Sequence, residues 1–206
     1  MSVSWTWILA IALMTSTSGC AFPVSHDQTH RETISLSCRP DERLHRGDAL
    51  ASDCTKVIQS PDATVEEQAL AYFYRGTVRL EAGQPGVALM DLDQAIRLNP
   101  NTQRVFLARC EAYLAIGQPD LAIRDCDRSL QRTPVWEEAL DYRGKAYAAK
   151  GQLVRAIRDF SEAIRLNPNM GVYYQDRGLA YQALGQREKA RADLATAKRR
   201  PPRPIL

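Results

Sequence analysis

Residues 137–170 read EEALDYRGKAYAAKGQLVRAIRDFSEAIRLNPNM, and this stretch decides the fold. Apolar residues recur at helical spacing in two blocks, one on each side of Gly151-Gln152, and Pro168 stands near the end. Moving outward, Pro100, Pro134, Pro168 and Pro202 follow one another at a constant step of 34 residues. Gly83, Gly117, Gly151 and Gly185, each followed by Gln, keep the same step, and so do Ala88, Ala122, Ala156 and Ala190. Each repeat is therefore predicted to be two antiparallel helices joined by a tight turn at the glycine.

The spacing of Tyr72, Gly76, Ala88, Leu92, Ala95 and Pro100, repeated as Leu140, Gly144, Tyr147, Ala156, Phe160, Ala163 and Pro168, resembles the tetratricopeptide repeat. That resemblance implies an all-α fold, an α-solenoid of antiparallel helix pairs, with repeats at 69–102, 103–136, 137–170 and 171–204. Gly76, Gly144 and Gly178 remove side chains where two helix backbones cross, the alanine column fills the crossing, and proline ends each second helix. A hairpin of this kind cannot bury its apolar face alone, so its stability must come from stacking on neighbours.

Two charged columns accompany the repeat. Arg75, Arg109, Arg143 and Arg177 precede the close-packing position, and Asp91, Asp125, Asp159 and Asp193 recur on the second helix. They are expected to pair within a hairpin or across to its neighbour; the competing reading is two solvated faces. In the second repeat Cys110 and Cys126 replace the Gly144/Phe160 or Gly178/Leu194 pair of its sisters, exchanging one empty and one bulky site for two of middling size. Side chains that compensate in volume should touch. Cys38 and Cys54 fall at the same two sites upstream, with Asp53 on the Asp column, so residues 38–68 read as a decayed first repeat whose inserted tail is Val65-Glu66-Glu67-Gln68. Both cysteine pairs are candidates for disulfides, each closing a loop of roughly 16 residues and contributing about 3 kcal/mol. Reduced core thiols are the alternative.

Ahead of the repeats, Trp5 to Met14 is apolar, but this is too short for a membrane span, which needs roughly 20 residues. Ser16-Thr17-Ser18-Gly19 and then Cys20 resemble a lipoprotein signal, which implies a leader at 1–19, lipidation of Cys20 and a linker at 20–37. With Cys20 carrying lipid, the other four cysteines fall into two pairs and no thiol is left over. Ala21 after the cysteine implies outer-membrane sorting, with the protein facing the periplasm. The alternatives are a soluble periplasmic protein cut near Ala21 and a cytoplasmic chain with an apolar start.

Lys plus Arg exceed Asp plus Glu by three among 206 residues, 45% of them hydrophobic and 25% charged, and the signs alternate along the chain. No broad basic surface is expected from that pattern, and nucleic acid is not expected as a partner. His26, His30 and His45 all precede the regular repeats, and no phosphate loop, nucleophile elbow or close-spaced metal ligand set is present, so neither cofactor nor metal nor enzymatic activity is expected. The resemblance instead implies a concave wall lined by the first helices, which would hold an extended peptide or a helix of a partner. Its lining positions on this chain are Leu70, Phe73, Thr77, Arg104, Leu107, Glu111, Glu138, Asp141, Lys145 and Gln175. The first two repeats would offer an apolar patch around Leu70, Phe73 and Leu107; burial of Phe73 against the decayed repeat is the competing reading. The Lys and Asn set with which some relatives clamp a terminal carboxylate is absent. The edge formed by Ala190, Leu194 and Ala197 on the last helix is expected to be open to a partner or to a second copy of the chain. Together these features imply a non-catalytic envelope adaptor, with an assembly factor for a pilus or secretion pore as the second reading and an envelope hydrolase as a distant third.

Overall fold

The computed structural model describes residues 47–200, and among these residues every regular element is a helix. Nine follow in order: α1 (Asp48–Gln59), α2 (Val65–Glu81), α3 (Pro85–Leu98), α4 (Gln103–Ala115), α5 (Pro119–Arg132), α6 (Glu137–Ala149), α7 (Leu153–Leu166), α8 (Gly171–Ala183) and α9 (Arg187–Lys198). The expected leader at 1–19, Cys20, the three histidines, Cys38 and the residues after 200 lie outside the described residues. Of the decayed repeat, α1 is its described second helix.

Local chemistry sets the helix boundaries. Gly83, Gly117, Gly151 and Gly185 each adopt φ between 70 and 75°, a conformation that strains any residue with a Cβ. The following Gln N–H then reaches back to the carbonyl five residues earlier, as Gln118 does to Tyr113 at 2.8 Å and Gln152 to Tyr147 at 2.9 Å, which closes the first helix and turns the chain. Pro85 and Pro119 open the second helices at a position whose N–H has no helical partner to lose. Val65 to Gln68 depart from expectation: they form the first turn of α2 instead of an inserted tail. The reason is a capping box, in which Thr64 Oγ1 accepts the Glu67 N–H at 3.2 Å and the Glu67 carboxylate accepts the Thr64 N–H at 2.8 Å.

Within each hairpin the close crossing is made by unequal partners. A Cβ placed on Gly144 would lie 2.6 Å from Phe160 Cε1, and Cβ atoms on Gly76 and Gly178 would lie 3.0 Å from Leu92 and Leu194 Cγ. At the equivalent site of the second hairpin Cys110 and Cys126 are bonded to each other, with Cα atoms 5.6 Å apart and neither side chain exposed. Cys54 is also disulfide-bonded and fully buried. Between hairpins the core is continuous: Leu107, Cys126 and Leu130 pack with Ala139, Leu140 and Tyr142 of the next repeat and Tyr173 of the one after. Each buried large side chain of this kind contributes about 1.5–3 kcal/mol, and the cluster crosses from one repeat to the next, so each hairpin depends on its neighbours for stability.

Candidate partner-binding wall

Successive first helices α2, α4, α6 and α8 touch one another in series, and each second helix lies between the first helices of its own and the next hairpin. The first helices therefore form the inner wall and the second helices the outer one. No helix among the described residues is long and apolar enough to cross a membrane, and no group of three or more candidate metal ligands occurs among them.

A ladder of guanidinium and carboxylate groups fixes the spacing of this wall. Arg109 donates from Nε and Nη2 to Asp125 at 2.7 and 2.8 Å, and from Nη1 to Asp93 of the preceding hairpin at 2.7 Å. Arg143 does the same with Asp159 (2.7 and 2.9 Å) and Asp127 (2.8 Å). Arg177 grips Asp193 and reaches Ser161 Oγ at 3.1 Å, while Arg75 grips Asp91 and reaches Thr55 Oγ1 of α1 at 2.9 Å. Each arginine thus ties its own hairpin and bridges to the one before. The carboxylates two residues apart on α3 and α5, such as Asp91 and Asp93, point to successive arginines.

Burial alone would lower the Arg109 pKa, but the hydrogen bonds and charge of Asp125 and Asp93 outweigh it and raise it above the ordinary value. The Asp159 and Asp127 bonds do the same for Arg143, and the Asp193 bonds for Arg177. A group whose pKa is raised on folding contributes its stability below the unfolded value and loses it only as pH rises through the folded one. For arginine both lie in strong alkali, so these cations do not titrate near neutrality.

The ten lining positions do not all face the open wall. Leu70, Arg104 and Gln175 are exposed, and Thr77, Glu111, Glu138 and Lys145 are half-buried. Phe73, Leu107 and Asp141 are buried, because this position is the seam where one first helix lies against the next: Phe73 packs with Val105 and Ala108, and Leu107 with Ala139 and Tyr142. Phe73 is therefore covered by the following repeat rather than by the decayed one, and the apolar patch shrinks to Leu70. Gln175 is exposed because no further helix among the described residues covers it. Ala190 on the last helix is buried, while Leu194 and Ala197 are half-buried.

The seam changes character at the third repeat. Where its sisters place Phe73 and Leu107, α6 places Asp141, fully buried, with its Oδ2 2.7 Å from Lys145 Nζ one turn later. Lys145 Nζ also lies 3.2 Å from Asp176 Oδ2 on α8 and 5.2 Å from the centroid of the Tyr142 ring. Glu138 stands one turn before Asp141 on the same helix. The joint between the third and fourth repeats is thus charged, with carboxylates in excess. Asp176 and the exposed Leu179 also belong to this region and escape the sequence reading. Their columns hold the signal: Tyr74, Ala108 and Tyr142 give way to Asp176, and Thr77, Glu111 and Lys145 to Leu179.

Two tetratricopeptide-repeat family models match the sequence at residues 137–170 and 172–203, the third and fourth hairpins. The chain is a tetratricopeptide-repeat protein. Among solved structures with this tetratricopeptide architecture, a crystal structure of MamA is 23% identical with a TM-score of 0.63, the match covering 74% of this chain and 86% of that one. MamA from Desulfovibrio magneticus RS-1 is 18% identical with a TM-score of 0.70, covering 84% of this chain and 94% of that one. YrrB, described as a tetratricopeptide-repeat protein with an unusual peptide-binding site, is 22% identical with a TM-score of 0.59, covering 72% and 74% of the two chains. At these identities the likeness is one of fold. No match was found among curated protein sequences.

Proposed function

We propose that this protein is a non-catalytic adaptor of the bacterial envelope, lipid-anchored through Cys20 in the outer membrane, which holds a segment of another envelope protein against its inner wall. The observation that carries the reading is the charged joint of Asp141, Lys145 and Asp176. A buried ion cluster is usually no more stabilising than well-packed apolar side chains of the same size. Sister repeats use Phe73 and Leu107 at that seam; the buried Asp141 instead holds Lys145, and through it Asp176, at the half-buried edge of the wall, where a partner can meet them. The excess of carboxylate fits a partner segment that brings a Lys or Arg to the third and fourth repeats. The peptide-binding site named for YrrB supports the general mode. Disulfides at Cys110–Cys126 and at Cys54 support an oxidising compartment outside the cytoplasm.

The test is Asp141→Leu, which restores the apolar seam of the sister repeats. Its stability should fall by no more than about 1 kcal/mol, because Lys145 keeps Asp176 at 3.2 Å and reaches solvent, while partners captured by crosslinking in intact cells should be lost. Undiminished capture by a stably folded Asp141→Leu protein would refute the recognition role. Cell-wall enzymes among the captured proteins support the adaptor; a secretin or pilus component would redirect the reading to an assembly factor for that pore.

A further inference from the structure

The outer wall carries a charge pattern that alternation along the sequence conceals. On α7 the outward stripe is Arg155, Arg158, Glu162 and Arg165, spaced to share one helix face. The same four positions on α5 include Arg124 and Arg128, those on α9 and its C-cap Lys189 and Arg199, and those on α3 Arg97. Across the four helices this makes sixteen positions, none of them buried, with eight cations and one carboxylate, so the stripe is basic although the whole chain is nearly balanced. The cause is the ladder. Asp91, Asp93, Asp125, Asp127, Asp159 and Asp193 on these same helices are all bonded to first-helix arginines, so that their charge is already matched, even at Asp93 and Asp127, which stay nearly half exposed, and the outward cations are left in excess.

We propose that this convex face is a docking surface for an anionic phospholipid bilayer. Arg199 borders a pocket with Thr196, Asn169 and Arg200, but the other cations extend well beyond it over four helices, which suits a broad sheet of headgroup charge better than a single phosphate. Apolar side chains stand among them: Met90 and Val154 are each 68% exposed and Val87 is 41% exposed, placed to enter the headgroup layer. None of the sixteen positions is aromatic, so the face lacks the stacking platforms used to hold single-stranded nucleic acid. The inner wall stays free to hold a protein when the outer wall lies on lipid, and the contact does not depend on an acyl chain at Cys20.

The test uses the full chain with Cys20→Ala, so that no acyl chain contributes, and measures its partition onto phosphatidylcholine vesicles and onto vesicles containing phosphatidylglycerol. The native face should bind the phosphatidylglycerol vesicles selectively and lose that increment as salt rises. Arg97→Gln, Arg124→Gln and Arg158→Gln together should weaken the increment roughly a hundredfold, at about fivefold for each cation. None of these three makes a hydrogen bond or ion pair among the described residues, so the melting temperature should not move, and the corresponding Arg→Lys triple variant should bind like the native face. Equal partition of the Gln variant and the native protein, or no preference for phosphatidylglycerol, overturns the proposal. Tighter binding to duplex DNA than to the vesicles also overturns it and assigns the face to nucleic acid. Asp141→Leu should bind vesicles normally, which separates failure here from failure at the inner wall.

Discussion

Gly144 and Phe160 show how one missing side chain positions a helix. The Phe160 ring is almost wholly buried, and a Cβ on Gly144 would sit 2.6 Å from one ring carbon and 2.9 Å from another. Gly144→Ala gains about 1 kcal/mol of helix propensity but must displace a ring with no room to move, at a cost of about 1–3 kcal/mol. A net fall in the urea midpoint is expected. Gly178→Ala meets only the Leu194 branch at 3.0 and 3.2 Å and the Asp193 Cβ at 3.3 Å, so it should be less damaging than Gly144→Ala. Equal losses at both sites would mean that the phenyl ring is not the obstacle. These glycines were legible in the sequence because each recurs at a fixed step opposite a large residue. Asp141 was not legible in the same way: its helical position was plain, but whether that position faced the wall or the seam depends on how far successive first helices lean together.

The hairpin is the unit that carries the disulfide. Cys110 and Cys126 occupy the crossing that Gly144 and Phe160 fill one repeat later, so the same space is closed covalently instead of by a ring. Cys110→Ala with Cys126→Ala should lose about 3 kcal/mol of loop constraint and a further increment from the space it leaves. Cys110→Gly with Cys126→Phe should recover the packing but not the constraint, and so should unfold between the native protein and the double alanine in non-reducing urea. A Gly/Phe variant less stable than the double alanine would show that the two repeats are not interchangeable at this crossing. Helix ends followed from Gly-Gln and from proline, because their effect is local. The start of α2 did not, because the Thr64 to Glu67 capping box was hidden inside what looked like an insertion between repeats.

For the molecule as a whole, the ladder has consequences that no single hairpin reveals. Each arginine joins two hairpins, so curvature and spacing are set by the same contacts that hold the repeats together. It also separates charge, leaving the outer wall basic and the joint of the third and fourth repeats acidic. Sign alternation along the chain argued against a broad basic surface; folding sorts those alternating charges by direction, which linear order does not record. The central claim is that the inner wall, built from first helices, is the surface that holds a partner protein. It is tested most directly by placing a photoreactive amino acid singly at Arg104, Glu138 or Gln175 on the inner wall and at Arg124 or Arg158 on the outer one, irradiating intact cells and comparing the protein adducts. The account predicts a shared protein adduct from the inner positions and none from the outer; protein adducts confined to Arg124 and Arg158 would contradict it.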